Sequence, residues 1–370
     1  MTEVIPQGQS AICFLPAMHG DAFFLHCYKN GEEGHVVVDG GPSGKATKNI
    51  FVDEVEKLPR IGLMILSHQD ADHIEGIRTY VNHHIDDRPF PVRQMWINCV
   101  READFSERGG LSATQASKLA DMLLDISRDD DIQWKDYVTK GYDTSGIKFA
   151  NITILSPEAD MLKRFIPEYE KHIKQPQKPA SLPLTAQDEE NDLKVSLKDL
   201  AKRGDYQPKE SVYSNFVNMV SITFLLECDG LSVLMLGDSY AKQIEDALRE
   251  KGFSKDQKLK VDFVKVAHHG SKFNMSCDLL DMIDCNRYLI PTNGGDGDNY
   301  HPNREALAKI ICHPERNMSE TIHLYFNYTL ESIATENHFE LFRDYEPEKY
   351  NFVIHQPDDT ELKPCWLTKA

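Results

Sequence analysis

Four apolar runs in this sequence each lead, within two residues, to an aspartate or a histidine. HVVV precedes Asp39, LMIL precedes His68, LSVLML precedes Asp238, and VDFVKVA precedes His268 and His269. In α/β folds, side chains from separate segments meet where strands end. The pattern therefore predicts an α/β fold in which these residues share one cleft.

Between these runs the sequence alternates strand and helix signals. Helical spacing of apolar residues occurs in FVDEVEKLP, IEGIRTYVNHH, LSATQASKLADMLLDISRD, YAKQIEDALREKG and NREALAKIICH. Strand-like runs occur in AICFLP, DAFFLHCY, PVRQMWINCV and RYLIPTNG, and CDG joins two apolar runs into a predicted hairpin. IHLYFNYT and HFELFRD alternate polar and apolar residues, which predicts edge strands near the C-terminus. This alternation favours a layered α/β core.

The composition indicates a globular protein. A chain of 370 residues with 41% hydrophobic content can form one large domain or two smaller ones. The N-terminus has no basic segment followed by an apolar one, and Glu227 and Asp229 interrupt the longest apolar region, which argues against membrane insertion. Eight cysteines without a CxxC pair indicate reduced thiols. We therefore expect a non-secreted, cytoplasmic protein.

The charge balance limits the kind of partner that the surface can hold. A formal net charge of −18 argues against a broad basic surface that binds polyanions. Nucleic acid remains a candidate substrate, because bound divalent cations would invert the local field at a site built from carboxylates. The sequence does not set the oligomeric state.

The stretch ILSHQDADHIEG carries the densest group of candidate metal ligands. His68, Asp70, Asp72 and His73 fall within six consecutive positions after an apolar run. Two imidazoles and two carboxylates over so short a span can surround a pair of cations. A metal site is therefore favoured over a polar turn that happens to contain these residues.

Each of the other strand ends is weaker evidence when taken alone. Asp39 and its two following glycines are typical of an ordinary turn, and Asp238 stands where a helix N-cap would. His268 and His269 are adjacent and point to different sides, so at least one can reach a neighbouring carboxylate, but a purely structural pair is equally expected. The prediction of a shared site depends on the agreement of all four ends.

The motif His68-x-Asp70-x-Asp72-His73, followed by Gly76, resembles the HxHxDH signature of the metallo-β-lactamase superfamily, with Asp70 in place of the second histidine. The ordered segments HGDAFFL, VVVDGG, NMVSITF, LMLGDS, KVAHHGS and PTNGGDGDNYHP are similar to the metallo-hydrolase domain of ComEC-type DNA-uptake proteins and their stand-alone relatives. The resemblance implies an α/β fold, the four-layer αββα metallo-β-lactamase sandwich, with a charged insertion and extra C-terminal strands.

The resemblance also suggests how the chain is divided. Residues 8–315 would form the hydrolase domain, within which the charged residues 157–210 read as a loop-like insertion or lid, with three prolines between Gln175 and Pro183. Residues 316–370 would form a C-terminal extension packed on the same domain.

Two divalent metal ions, Zn²⁺ or Mn²⁺, are implied by the same resemblance. His68 and Asp70 would hold the first metal, and Asp72 and His73 the second. Asp238 would bridge the two metals. A carboxylate in place of an imidazole makes the site harder, which shifts its preference from Zn²⁺ towards Mn²⁺, although zinc stays a candidate.

The resemblance leaves the remaining histidine ligands open. His268 or His269 would complete the second site, with a preference for His269. The superfamily has a further histidine ligand between the first motif and the bridging aspartate, and this sequence offers no clear counterpart. His83, His84 and His172 lie in that interval, but solvated surface positions are the favoured interpretation of all three.

The implied chemistry is hydrolysis by a hydroxide shared between two cations. Asp72 or Asp238 would orient the hydroxide, and His301 with the second histidine of the His268 and His269 pair would contact the phosphate or protonate the leaving group. The residues expected to support the ligands from behind are Asp39, Asn218, Ser221 and Ser271.

Three functions are consistent with these features. The leading hypothesis is a metal-dependent phosphodiesterase or nuclease, acting on a phosphodiester or on nucleic acid. The second is an acyl, lactone or phospholipid-headgroup hydrolase on the same site, because the same cations can polarise a carbonyl. The third is a metal-poor scaffold that binds a partner protein. A hydrolase with an acidic surface is also expected to need a protein partner to deliver its substrate.

Overall fold

The fold is built on two seven-stranded sheets, seen in a computed structural model of the chain. The described residues are 8–42, 45–98, 115–127, 132–174, 191–296, 299–358 and 363–369. Short strands such as AICF and LMIL are buried along their whole length, because both faces of their sheets are covered.

The first sheet has the strand order β18-β1-β2-β3-β4-β5-β6. Strands β18, β1, β2 and β3 are antiparallel neighbours, whereas β3, β4, β5 and β6 are parallel. The strands are β1 (Ala11–Phe14), β2 (Phe23–Lys29), β3 (Glu32–Val38), β4 (Leu63–Leu66), β5 (Gln94–Ile97), β6 (Gln133–Lys135) and β18 (Cys365–Leu367).

The second sheet has the strand order β17-β16-β13-β11-β9-β8-β7. Strands β9, β11, β13, β16 and β17 are parallel, and β7, β8 and β9 are antiparallel, with β8 and β9 forming the predicted hairpin. The strands are β7 (Asn151–Ser156), β8 (Thr223–Cys228), β9 (Leu231–Met235), β11 (Phe263–Lys265), β13 (Arg287–Ile290), β16 (Ile322–Phe326) and β17 (Phe352–His355). Two small ribbons pair β10 (Leu259–Lys260) with β12 (Ile283–Asp284) and β14 (Gly295–Asp296) with β15 (Asn299–Tyr300).

Three apolar clusters define the layers. The central cluster joins the facing sides of the two sheets through residues such as Phe14, Phe23, Phe224 and Phe263. Fully burying an aromatic side chain of this size contributes about 1.5–3 kcal/mol. A cluster on the outer face of each sheet joins it to helices. The order is helix, sheet, sheet, helix, which confirms the predicted four-layer αββα sandwich.

The helices divide between the two outer layers. None of those within the described residues is both long and apolar enough to cross a membrane. The first sheet is covered by Lys45–Val55, Ala71–His83, Gln115–Ser127, Ala159–Lys174 and Tyr213–Met219. The second is covered by Leu197–Leu200, Ala241–Glu250, Cys277–Asp281, Arg304–Cys312, Leu330–Asn337 and Glu346–Tyr350.

The charged region 157–210 contains two helices, so the prediction of a loop-like segment was wrong at Ala159–Lys174 and Leu197–Leu200, whereas residues 201–210 are irregular as predicted. Ala159–Lys174 is a helix that contains Pro167, and it buries Leu162 and Phe165 against the first sheet. Leu197–Leu200 packs on the second sheet. The apolar residues repeat at helical spacing, and their burial outweighs the high charge of the segment. The predicted proline-rich stretch lies in residues 175–190, outside the described residues.

The C-terminal segment differs from the sequence prediction in two ways. IHLYF forms β16, but β16 is an interior strand, and the edge of the sheet is β17. HFELFRD is not a strand, and its residues Phe339 and Leu341 instead fill the outer core of the second sheet. Alternating apolar residues can be buried by an irregular segment as well as by a strand, so the pattern was ambiguous. Residues 316–370 thus supply strands to both sheets.

The thiols agree with the sequence prediction where they are described. Seven cysteines are free, and those at positions 13, 27 and 365 are buried. Cys99 lies outside the described residues.

Candidate metal centre

The polar residues that follow β3, β4, β9 and β11 all lie at the C-terminal ends of these strands, where the two sheets face each other. β3 and β4 are parallel neighbours in the first sheet, so Asp39 and His68 leave the sheet on the same side. β9 and β11 are parallel neighbours in the second sheet, which places Asp238 beside His268. The backbone N–H of Ile222 donates to the Ser67 carbonyl at 2.8 Å and joins the two edges.

The stretch between β4 and the next helix presents its ligands over one turn. Asp70 precedes the helix Ala71–His83, and Asp72 and His73 lie in its first turn, so these two residues are helical and not in a loop. The turn approaches the chain after β3 closely, because the Gly40 N–H donates to the His73 carbonyl at 2.7 Å. A Cβ atom at Gly76 would overlap the Gly40 carbonyl, so glycine is required for this approach.

One oxygen of Asp238 is the point on which four imidazoles converge. The distances from Asp238 Oδ2 are 3.8 Å to His68 Nε2, 3.5 Å to His73 Nε2, 3.6 Å to His268 Nε2 and 3.8 Å to His269 Nε2. Two ligands of one metal ion at bond lengths of about 2.0–2.2 Å are separated by distances of this order. All four Nε2 atoms therefore lie at ligand-to-ligand distances from Asp238 Oδ2.

Asp72 and Asp70 contact different histidines of this group. Asp72 Oδ2 is 3.3 Å from His269 Nε2 and 3.8 Å from His73 Nε2. Asp70 Oδ2 is 3.5 Å from His68 Nε2, and its side chain is 44% exposed, which leaves this end of the group open to solvent. Two overlapping sets of donor atoms result, one around His68, His73 and Asp238 and one around Asp72, His73 and His269.

Hydrogen bonds fix the tautomers of the first two histidines. His73 Nδ1 lies 2.9 Å from Asp39 Oδ2, so this nitrogen carries the proton and donates it. The Ser67 hydroxyl donates to the same Asp39 oxygen at 2.7 Å and therefore accepts from His68 Nδ1 at 3.0 Å. When neutral, both rings therefore have an Nε2 lone pair that faces Asp238.

The second histidine pair is fixed in the same way. His269 Nδ1 lies 3.1 Å from the Pro291 carbonyl and 3.2 Å from Asp21 Oδ1, which are both acceptors. His268 Nδ1 lies 3.1 Å from Asn274 Oδ1. The amide nitrogen of Asn274 donates to the Asp238 carbonyl at 2.9 Å, so its oxygen must be the atom that faces His268. When neutral, His269 therefore presents an Nε2 lone pair, and His268 does so when its Nδ1 donates to Asn274.

The backbone of this histidine pair is unusual. His268 has φ 48° and His269 has φ 54°, both in the left-handed region that costs a non-glycine residue about 1–2 kcal/mol. Such strain persists where the surroundings enforce it, and it concentrates at functional sites. Here it turns two consecutive imidazoles towards the same carboxylate.

The arrangement fits divalent metal ions. The Nε2 atoms of His68, His73 and His269 are buried and have no hydrogen-bond partner among the described residues. Buried polar atoms are normally paired, and converging lone pairs beside carboxylates are satisfied by a metal ion. Imidazole and carboxylate donors together suit Zn²⁺ and Mn²⁺.

The electrostatics of the group favour positive charge at its centre. Burial lowers the pKa of His269, but Asp21 and Asp238 outweigh burial and raise it to about 9. Burial likewise opposes the charged form of His73, yet Asp238, Asp39 and Asp72 hold its pKa well above the ordinary value. Burial raises the pKa of Asp238, but the neighbouring histidines outweigh it and hold that pKa well below its usual range.

Metal binding is therefore expected to release protons at pH 7. His269, with a pKa of about 9, is protonated on Nε2 in the metal-free protein, and a metal must displace that proton. Affinity should rise with pH up to about 9, and at least about one proton per chain should leave. Calorimetric titrations with Mn²⁺ in buffers of different ionisation enthalpy measure this number, because the apparent binding enthalpy changes with the buffer's ionisation enthalpy by one slope unit per proton released. A slope of zero would contradict the assignment of His269 as a metal ligand.

Two charged residues of the site carried no predicted role. Lys265 lies in β11, is fully buried, and forms an ion pair with Asp21, which precedes β2. Burial lowers the pKa of Lys265, but Asp21 and Asp238 outweigh burial and raise it. Lys265 could have been noticed in the sequence, because it interrupts an apolar strand and lysine is almost never fully buried unless it is paired. Asp21 lies within the HGDAFFL segment and had no other signal.

The structure brings His301 to the site. Its ring centroid lies 5.1 Å from that of His268 and 6.2 Å from that of His269. Burial lowers the pKa of His301 well below its ordinary value, and the two neighbouring histidines lower it further. His301 is therefore a neutral ring at pH 7 in the metal-free protein.

The supporting residues differ in their contacts. Asn218 Nδ2 lies 3.3 Å from His268 Nδ1, and the Ser221 hydroxyl accepts from the Asp238 N–H at 3.3 Å. Asp39 contacts His73, as described above. Ser271 accepts on its hydroxyl from the Phe273 N–H and shapes the loop after the histidine pair.

The histidines set aside in the sequence analysis stay outside the group where they are described. His84 pairs with Asp87 at 2.6 Å, and His83 is exposed at the end of its helix. The side chain of His172 lies outside the described residues.

Comparison with known proteins gives no family assignment. No protein-family model matches the chain, and no curated protein matches it. A solved structure of a CmlA β-hydroxylase mutant is similar over 98% of this chain and 55% of that chain, at 10% identity and a TM-score of 0.38. This chain thus spans about half the length of that protein.

Two further solved structures have comparable similarity. Zn²⁺-bound PqqB from Methylobacterium extorquens is similar over 92% of this chain and 86% of that chain, at 10% identity and a TM-score of 0.39. A diphosphatase from the PhnP family is similar over 94% of this chain and 83% of that chain, at 10% identity and a TM-score of 0.34.

Proposed function

We propose that this protein is a metal-dependent phosphodiesterase with a dinuclear centre. The observation that supports it is the convergence of four imidazole lone pairs on one oxygen of Asp238, flanked by Asp70 and Asp72. When bound, two divalent cations lower the pKa of a shared water to about 7 and offset the charge of a phosphodiester.

The ligands divide into two groups around Asp238. Asp72 and His269, which lie 3.3 Å apart, would hold one metal together with His73. His68 and Asp70 would hold the other.

His268 would take the place of the further histidine ligand for which the sequence analysis found no counterpart. Its Nε2 is 3.6 Å from Asp238 Oδ2, a distance similar to that of His68, and it would join His68 and Asp70 in holding their metal. The hydrogen bond from His268 Nδ1 to Asn274 would leave the Nε2 lone pair of His268 facing the metals.

The substrate phosphate would lie at the exposed side of the group. His301 stands beside His268 and His269, so its ring can hydrogen-bond a phosphate oxygen. Because the His301 ring is neutral, it is better suited to donate a hydrogen bond to the phosphate than to protonate the leaving group. Single-stranded DNA and RNA are the natural diesters to examine, delivered with the help of a protein partner because the chain carries a net charge of −18.

The test is hydrolysis of bis(p-nitrophenyl) phosphate with Mn²⁺ by the wild type, Asp72→Ala and Asp246→Ala. Asp72 is in contact with His269 and His73, so its loss should lower kcat/KM by at least about a hundredfold. Asp246 is an exposed aspartate on the helix Ala241–Glu250 and should leave the rate unchanged.

Two outcomes would overturn the proposal. The first is a wild type that binds Mn²⁺ but cleaves neither this diester nor single-stranded DNA nor RNA, while it turns over acyl esters or lactones. The second is an Asp72→Ala protein as active as the wild type.

A further inference from the structure

Lys265 places an ammonium group directly behind the candidate metal centre. Its side chain is fully buried, and its Nζ donates to the Gly237 carbonyl at 2.9 Å and pairs with Asp21 Oδ2. The same nitrogen lies 3.6 Å from Asp238 Oδ1. Three oxygens around one ammonium explain how a lysine is tolerated in the interior.

The two oxygens of Asp238 consequently face different groups. Oδ1 faces Lys265, whereas Oδ2 faces the four imidazoles. A carboxylate without such a partner could rotate and chelate one cation with both oxygens, as carboxylates commonly do. The Lys265 ammonium opposes that rotation, because the rotation would move Oδ1 away from it and weaken their attraction.

Asp21 extends the effect of Lys265 to the second histidine pair. Its Oδ2 pairs with the ammonium, and its Oδ1 lies 3.2 Å from His269 Nδ1. The backbone N–H of Asp21 also donates to the Asp72 carbonyl at 3.2 Å. Lys265 is thus connected directly to Asp238 and, through Asp21, to His269 and Asp72.

The charges of the protein groups and the proposed cations would balance when Lys265 is counted. One ammonium and two divalent cations would together offset five carboxylates within this group, before any shared hydroxide is added. The carboxylates are Asp21, Asp39, Asp70, Asp72 and Asp238.

We propose that Lys265 is a positioning residue that reserves a single oxygen of Asp238 for both metal ions. This inference rests on the proposed dinuclear centre. A bridge through one oxygen holds the two cations close together, whereas a chelating Asp238 would satisfy one cation and leave the other weakly held.

The test compares the metal content and the Mn²⁺ electron paramagnetic resonance spectrum of the wild type, Lys265→Met and Lys260→Met. Methionine keeps most of the volume of the lysine side chain and removes the charge. Lys260 is an exposed lysine of β10, with 84% of its side chain accessible, and serves as the matched control.

The wild type and Lys260→Met should bind two Mn²⁺ ions per chain and give an exchange-coupled spectrum. Lys265→Met should bind one ion and give the spectrum of an isolated Mn²⁺. Two ions with an unchanged coupled spectrum in Lys265→Met would overturn the inference. A wild type that does not bind two ions would instead overturn the proposed dinuclear centre.

The double variant Asp21→Asn with Lys265→Met separates positioning from simple charge neutralisation. It removes one positive and one negative charge together, so it also tests the inference if the single variant fails to fold. Loss of the second ion in the double variant, with two coupled ions retained by Asp21→Asn alone, supports positioning of Asp238. Recovery of two coupled ions would show that Lys265 serves only to neutralise Asp21, and the inference would be wrong.

Discussion

Asp238→Asn is expected to remove both metal ions and to abolish hydrolysis. Asp238 Oδ2 is the only carboxylate oxygen within the described residues that lies within 3.8 Å of all four Nε2 atoms. The amide has nearly the same shape but no charge, so packing is kept while the bridge is lost. We expect a fall in kcat/KM of at least about a thousandfold, equivalent to about 4 kcal/mol of transition-state stabilisation.

The measurement is metal content by mass spectrometry after gel filtration, together with the rate on a phosphodiester. Asp246→Asn is the matched control, because its side chain is exposed and pairs only with surface residues of its own helix. An Asp238→Asn protein that retains two metals and its activity would show that another residue bridges them.

Chelation of the metals is expected to lower the thermal stability markedly. Three imidazoles and several carboxylates are buried at the junction of the two sheets, with His268 partly exposed beside them, and the repulsion among the carboxylates would be relieved by the cations. At a metal concentration a thousandfold above Kd, two sites would contribute about 8 kcal/mol, which shifts the melting temperature by on the order of 10 °C in a chain of this size.

Calorimetric melting with and without a chelator measures this shift. The Asp238→Asn protein provides the control, because a chelator should not affect the melting of a protein that holds no metal. Equal melting temperatures for the wild type with and without chelator, combined with no bound metal, would favour the alternative in which the chain is a metal-poor scaffold.

Much of the fold could be predicted from local patterns. The runs HVVV, LMIL and LSVLM form strands, and FVDEVEKLP and NREALAKIICH supply helix residues, because burial selects apolar residues at the period of each element. Predictions failed where local pattern and burial disagree. HFELFRD has the alternation of a strand, yet Phe339 and Leu341 are buried by an irregular segment.

The candidate site was only partly readable in the same way. The ligand types at strand ends are a local property, so His68, Asp72 and Asp238 stood out. The choice between His268 and His269 was not readable, because both reach Asp238 through a left-handed backbone that no residue pattern announces. Asp21 and Lys265 were missed since their ion pair joins the segment before β2 of the first sheet to β11 of the second.

The sequence by itself determined the alternation of strands and helices and the residue types that follow the strands, because these depend on the burial of neighbouring positions along the chain. Only the tertiary structure decided which of those side chains meet. The pairing of β3 with β4 and of β9 with β11, and the stacking of the two sheets, bring together residues as distant in the chain as Asp21 and His269. Contacts of that kind depend on the packing of whole sheets and leave no local pattern in the sequence.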